Sequence, residues 1–125
     1  MNSENKMTTK QAQDMLVITE MYNIAFNKLP DAEGLAYWMN DIANGHSLHD
    51  VARSIGTHLQ PFSFEGTQNV IDTFYMNAID KHATVDVQNH WGVLALNAVP
   101  SYELMYEMAL ALTGQPTDSW AGILF

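Results

Sequence analysis

Hydrophobic residues recur along this chain at spacings of three and four, and polar or breaking residues divide the pattern into six stretches. That period marks one face of an α-helix. Thr8 and Gln11, at capping-box spacing, open a first helix that runs to about Asn27, with Met15, Ile18, Tyr22, Ala25 and Phe26 on one face. Lys28 to Pro30 break it, because proline cannot continue a helix. Asp31 then caps a second helix over about Ala32 to Ala43, with Leu35, Trp38 and Ile42 facing the core and Asn44-Gly45 as the stop. Ser47, with Asp50 three residues on, caps a third helix whose apolar face is Leu48, Val51, Ala52, Ile55 and Leu59.

The stretch from Gln60 to Gly66 combines proline, glycine and two phenylalanines, and reads as a loop that packs back on the core. A fourth helix starts near Thr67 and buries Val70, Ile71, Phe74, Tyr75, Ala78 and Ile79. A fifth, from about Val85 to Asn97, offers Val87, Trp91 and Leu94. Pro100 breaks the chain, and Ser101 caps a sixth helix with Leu104, Met105, Met108 and Leu112 inward; Gly114 and Pro116 end it. The expected fold is all-α: six helices in one compact bundle, as two diverged three-helix units at about 9–59 and 67–113.

The two units align with a shift of 53 residues. Tyr22 falls on Tyr75, Ala25 on Ala78, Lys28 on Lys81, Trp38 on Trp91 and Asn44 on Asn97; one inserted residue then brings Ser47 onto Ser101. In the second unit Ala83, Thr84 and Val87 replace Pro30, Asp31 and Gly34. Residues 1–7 are polar and expected to be disordered. The 116–125 tail, with Trp120, Ile123, Leu124 and Phe125, is too apolar for a solvated end. It is expected to dock in a groove of its own chain, with a groove on a partner as the other destination.

Tyr22, Leu29-Pro30-Asp31, Gly34-Leu35-Ala36-Tyr37-Trp38 and Asn44-Gly45-His46-Ser47-Leu48 together resemble the bacterial family known as domain of unknown function 4214. Its motif runs Tyr, Gly-Arg, Pro-Asp-x-x-Gly-Leu-x-Tyr-Trp, then a Gly-x-Ser-Leu turn, and its helical repeat is similar to that of phycobilisome linker domains. The likeness covers about Met15 to Ile55. It departs at Asn27-Lys28, where the family has Gly-Arg; Lys28 is left to pair with Asp31 at the surface. The resemblance implies a helical fold and a non-enzymatic character, in a family found in secreted, cell-surface and phage-associated proteins. It supplies no catalytic residues.

Composition narrows the partners. The 125 residues suit one domain, and 47% of them are hydrophobic, enough to build a core. The net charge is -9, with only 5 Lys and Arg. Phosphate neutralisation needs cations, so nucleic acid is disfavoured, as is an anionic membrane surface. Without cysteine there is no disulfide, thiol chemistry or cysteine metal site. No apolar run reaches the roughly 18 residues of a membrane span, and Met1 to Lys10 lacks a signal-peptide core. The expected location is therefore cytoplasmic, virion-associated or exported by a signal-independent route.

Each candidate for chemistry has a plainer reading. Asp31 and Glu33 diverge on a helix at i and i+2, so they read as a cap and a first-turn acid. A loose calcium site using Asp31 is the other reading; no EF-hand loop is present. His46, His49 and Asp50 have metal-ligand spacing, with His58 as a distant third imidazole, but His46 precedes the cap and the rings need not converge. Ser47, His49 and Asp50 are too close in sequence to make a triad, which joins distant residues. Trp38 and Trp91 fit sugar-stacking rings or core, and their spacing with Leu35 and Leu94 favours core. Tyr37 falls off that face and joins Trp120 and Phe125 as a binding candidate. The 8 methionines suit core gaps or an adaptable surface.

The reading that follows is a non-enzymatic helical module, needing no cofactor, that docks to a protein partner or to copies of itself. An accessory component of a phage particle or bacterial surface assembly fits it. A carbohydrate-binding module and a small metal-dependent enzyme are the alternatives.

Overall fold

The computed structural model describes residues 7–59 and 66–115. The expectations for the N-terminus before Met7, the 60–65 loop, the 116–125 tail and the binding roles of Trp120 and Phe125 lie outside the described residues. Six helices form: α1 (Thr9–Phe26), α2 (Ala32–Ala43), α3 (Leu48–Gly56), α4 (Thr67–Ile79), α5 (Val85–Leu96) and α6 (Ser101–Leu112).

Local chemistry sets most of the boundaries. The Thr8 hydroxyl accepts from the Gln11 N–H at 3.0 Å, and the Gln11 side chain accepts from the Thr8 N–H at 2.9 Å. That closes the capping box. Asp31 caps α2 by accepting the Gly34 N–H at 2.7 Å, and Ser47 with Asp50 forms a second box on α3. Asn27 ends α1 in the left-handed region at φ 54°, which asparagine tolerates better than most residues.

Packing places α1 at the centre. It lies against α4 and α6 and also touches α2 and α3; α3 runs along α6, and α5 leans on α4. The fully buried core comes from α1 (Val17, Ile18, Met21, Ile24), α3 (Val51, Ala52, Ile55), α4 and α6, with Val87 and Trp91 from α5. α2 buries no residue fully; Leu35, Trp38, Met39 and Ile42 only lean on the core. α2 and α5 are thus the outer helices.

The 53-residue offset persists in the backbone. α5 begins and ends 53 residues after α2, and Asp80 repeats the left-handed cap of Asn27 at φ 57°. Thr84 repeats the Asp31 cap, accepting the Val87 N–H at 3.3 Å. The halves meet reciprocally: the Asn23 amide donates to the Asn77 carbonyl at 3.1 Å, and the Asn77 amide donates to the Ile24 carbonyl at 2.8 Å.

Several expectations need correction. The inner face of α1 is rotated, so Met21, Val17 and Ile24 are fully buried while Met15 and Tyr22 are half-buried. A central helix is packed on several sides, which widens its buried arc beyond one stripe. Trp38 is half-buried rather than core, because α2 is peripheral. Leu112 lies at the exposed end of α6. Ser101 is the first helical residue and Pro100 is the cap, without a side-chain cap bond. No inserted residue separates the units: Ser47 and Pro100, both caps, are already 53 apart.

Candidate functional site

The histidine-bearing turn was the leading place for chemistry in the sequence. Asp50 is held there by its capping duty, its carboxylate accepting the Ser47 N–H at 3.0 Å while Arg53 approaches at 3.1 Å and His46 at 3.7 Å. The Ser47 backbone bond holds the Asp50 carboxyl below the usual carboxylate range; burial opposes this, and the Ser47 side chain, Arg53 and His46 add to it. His49 turns the other way and pairs with Glu103 on α6, its ring 5.2 Å from that of Tyr106. His58 sits exposed beyond the end of α3. The ligand set His46, His49 and Asp50 does not converge, and among the described residues no group of three His, Asp or Glu could hold a metal ion.

The structure instead assembles a polar seam that sequence spacing missed. Asp14 is buried on α1, with Lys10 reaching it at 2.6 Å. Burial pushes the Tyr106 phenol up, and the charges of Glu107, Glu103 and Asp14 push it further. Lys10 and Asp14, at i and i+4, were the one local signal. The rest joins α1, α3 and α6 through tertiary contact alone. His49 and Glu103 link the two halves, a structural role that matches their place along the α3–α6 packing.

The aromatic candidates separate cleanly. Trp91 is only 2% exposed, so its ring has no free face for a ligand. Trp38 donates its indole N–H to the Tyr22 hydroxyl at 2.9 Å, and Tyr22 in turn packs edge-on to Phe26. Tyr37 is 60% exposed, but one edge meets the Trp38 ring at 4.8 Å between centroids. Pro30, Asp31, Gly34 and Leu35 serve the α1–α2 corner: a Cβ on Gly34 would stand 3.0 Å from the Asp31 carboxylate. Asp31 is occupied as a cap, and no ion pair joins it to Lys28 among the described residues.

The outer helices expose large apolar side chains. Besides Tyr37 and Leu29 beside α2, these are Val85, Val93 and Leu96 on α5. No helix among the described residues is long and apolar enough to cross a membrane. Set against known proteins, the chain matches no family model, no curated protein and no solved structure.

Proposed function

We propose that this chain is a non-enzymatic helical module that docks, through its outer helices, to a protein partner or to copies of itself. The observation that supports this reading is the outward display of Val85, Val93 and Leu96 on α5, a helix whose inner side is already anchored by Val87 and Trp91. Exposed apolar side chains grouped on one element mark interaction surfaces more often than catalytic ones. The acidic balance of the chain favours protein over nucleic acid as the partner. An accessory component of a phage particle or bacterial surface assembly is the setting this reading suits, in keeping with the likeness of residues 15–55 to a helical-repeat family.

Chemical cross-linking in native lysate tests the proposal. The expected result is a discrete cross-linked protein or a cross-linked pair of this chain. A carbohydrate reading has one observation of its own, the exposed Tyr37 ring beside Trp38. Glycan binding that is lost in Tyr37→Ala, with no protein cross-link, would replace the docking reading with that one.

A further inference from the structure

Asn44-Gly45 is the one Asn-Gly pair of the sequence, and it falls in the exposed turn between α2 and α3. Asn44 is the C-cap of α2, at φ -91° and ψ 11°, and Gly45 follows at φ 104°. The second half of the chain carries an internal control. Asn97, 53 residues on, is likewise the exposed C-cap of its helix, but its side-chain amide donates to the Val93 carbonyl at 2.9 Å and the next residue is Ala98.

An asparagine followed by glycine can close on its own backbone. A bond forms between the Gly45 nitrogen and the Asn44 Cγ, the bond from Cγ to Nδ2 breaks, and Nδ2 leaves as ammonia, taking the proton that the Gly45 nitrogen gives up. The product is a succinimide. Water then opens it at one of its two carbonyls. Breaking the new bond at Cγ leaves aspartate at position 44; breaking the original peptide bond leaves isoaspartate, with the chain running through Cγ. Water is the only co-reactant, and nothing is oxidised or reduced. Glycine favours the closure because no Cβ obstructs the peptide plane as it swings toward the side chain.

The fold supplies a restraint on this step. The Gly45 N–H donates to the Ile42 carbonyl at 3.1 Å, and the His46 N–H donates to the Asp41 carbonyl at 3.1 Å. The attacking nitrogen is therefore engaged until the end of α2 opens. That opening is a local one, since α2 buries no residue fully and residues 43–47 are all exposed.

We propose that Asn44-Gly45 is a self-modification site, where Asn44 converts to aspartate and isoaspartate at a rate set by the opening of the last turn of α2. Either product places a carboxylate at the C-terminal end of α2, where the helix already carries partial negative charge and Asp41 lies three residues back. Isoaspartate also lengthens the backbone by one methylene between that end and the Ser47 cap of α3. The modified chain therefore loosens α2 from this end.

Peptide mass spectrometry tests this on the full chain, held folded in mildly alkaline buffer and sampled over time, with fragmentation that separates aspartate from isoaspartate. Asn44 is expected to convert at least about tenfold faster than Asn97, and faster still when the same chain is unfolded in urea. In the converted fraction, hydrogen exchange is expected to quicken at the end of α2 and to stay unchanged in α1. Conversion at Asn44 that is no faster than at Asn97 overturns the site. Equal rates in the folded and unfolded chain overturn the restraint, and unaltered exchange in the converted chain overturns the loosening.

Discussion

Two helical glycines should respond to the same substitution with opposite signs. A Cβ on Gly56 would fall 2.8, 2.9 and 3.0 Å from three carbons of Tyr102, where α3 meets α6. Carbon atoms in contact prefer about 3.5–4.0 Å, and the nearest of the three is the Tyr102 Cβ, which no rotamer change moves, so the two helices must part by several tenths of an ångström. Overpacking of this kind costs about 1–3 kcal/mol. Alanine returns about 1 kcal/mol of helix propensity, which leaves Gly56→Ala destabilised by up to about 2 kcal/mol. Gly92 has open space around it, so Gly92→Ala should gain about 0.5–1 kcal/mol. Urea unfolding followed by circular dichroism at low protein concentration reads both from the midpoint, provided the slope is unchanged. The double variant Gly56→Ala, Tyr102→Gly should recover most of the Gly56→Ala loss relative to Tyr102→Gly alone, because the closest of the three carbons is the Tyr102 Cβ. If Gly56→Ala is as stabilising as Gly92→Ala, α3 and α6 do not approach at that point and the reasoning fails.

The two repeat-related tryptophans should not be equivalent. Trp91→Ala should cost about 3–5 kcal/mol, against about 1–2 kcal/mol for the half-buried Trp38→Ala; equal losses on chemical denaturation would contradict the peripheral place of α2. Asp31→Ala should cost about 1 kcal/mol by removing the α2 cap, and Asp31→Asn should cost less, both measured as shifts in denaturation midpoint. Burial raises the phenol of Tyr75, and burial with neighbouring carboxylates raises that of Tyr106. Groups raised in the fold contribute stability that is present below the ordinary tyrosine value of about 10 and is lost as pH rises through their folded values. Phenolate absorbance should therefore be incomplete until helix content falls at high pH; complete ionisation near the ordinary value with the helices intact would refute this. At the acid end Asp50 works in the opposite sense. Its capping contribution is present above the ordinary carboxylate value and lost as pH falls through the lower folded value. Asp50→Asn should flatten that part of the acid melting curve.

The sequence by itself determined the helices, because their ends are set by local chemistry. Thr8 with Gln11, Asp31, and Ser47 with Asp50 act on backbone N–H groups within three residues, so spacing alone reveals them. The 53-residue offset was legible for the same reason, although the cap at Pro100 was read one residue late. Periodicity also found the faces of α3 and α4, whose buried residues Val51, Ala52 and Ile55, and Val70, Ile71, Phe74 and Tyr75, are all among those it named. It failed where burial depends on the neighbours. α1 is buried over a wide arc because other helices surround it, while Trp38 stays half-exposed because α2 lies outside. Candidate sites divide along the same line. Tyr37 was legible as exposed, since it falls off the apolar face. The pairing of His49 with Glu103, the burial of Asp14 and the clearance at Gly56 belong to α3, α6 and α1 coming together, which no local spacing encodes. The open space at Gly92 was equally hidden, because only the packed helices show that no other described residue comes within 4 Å of a Cβ there.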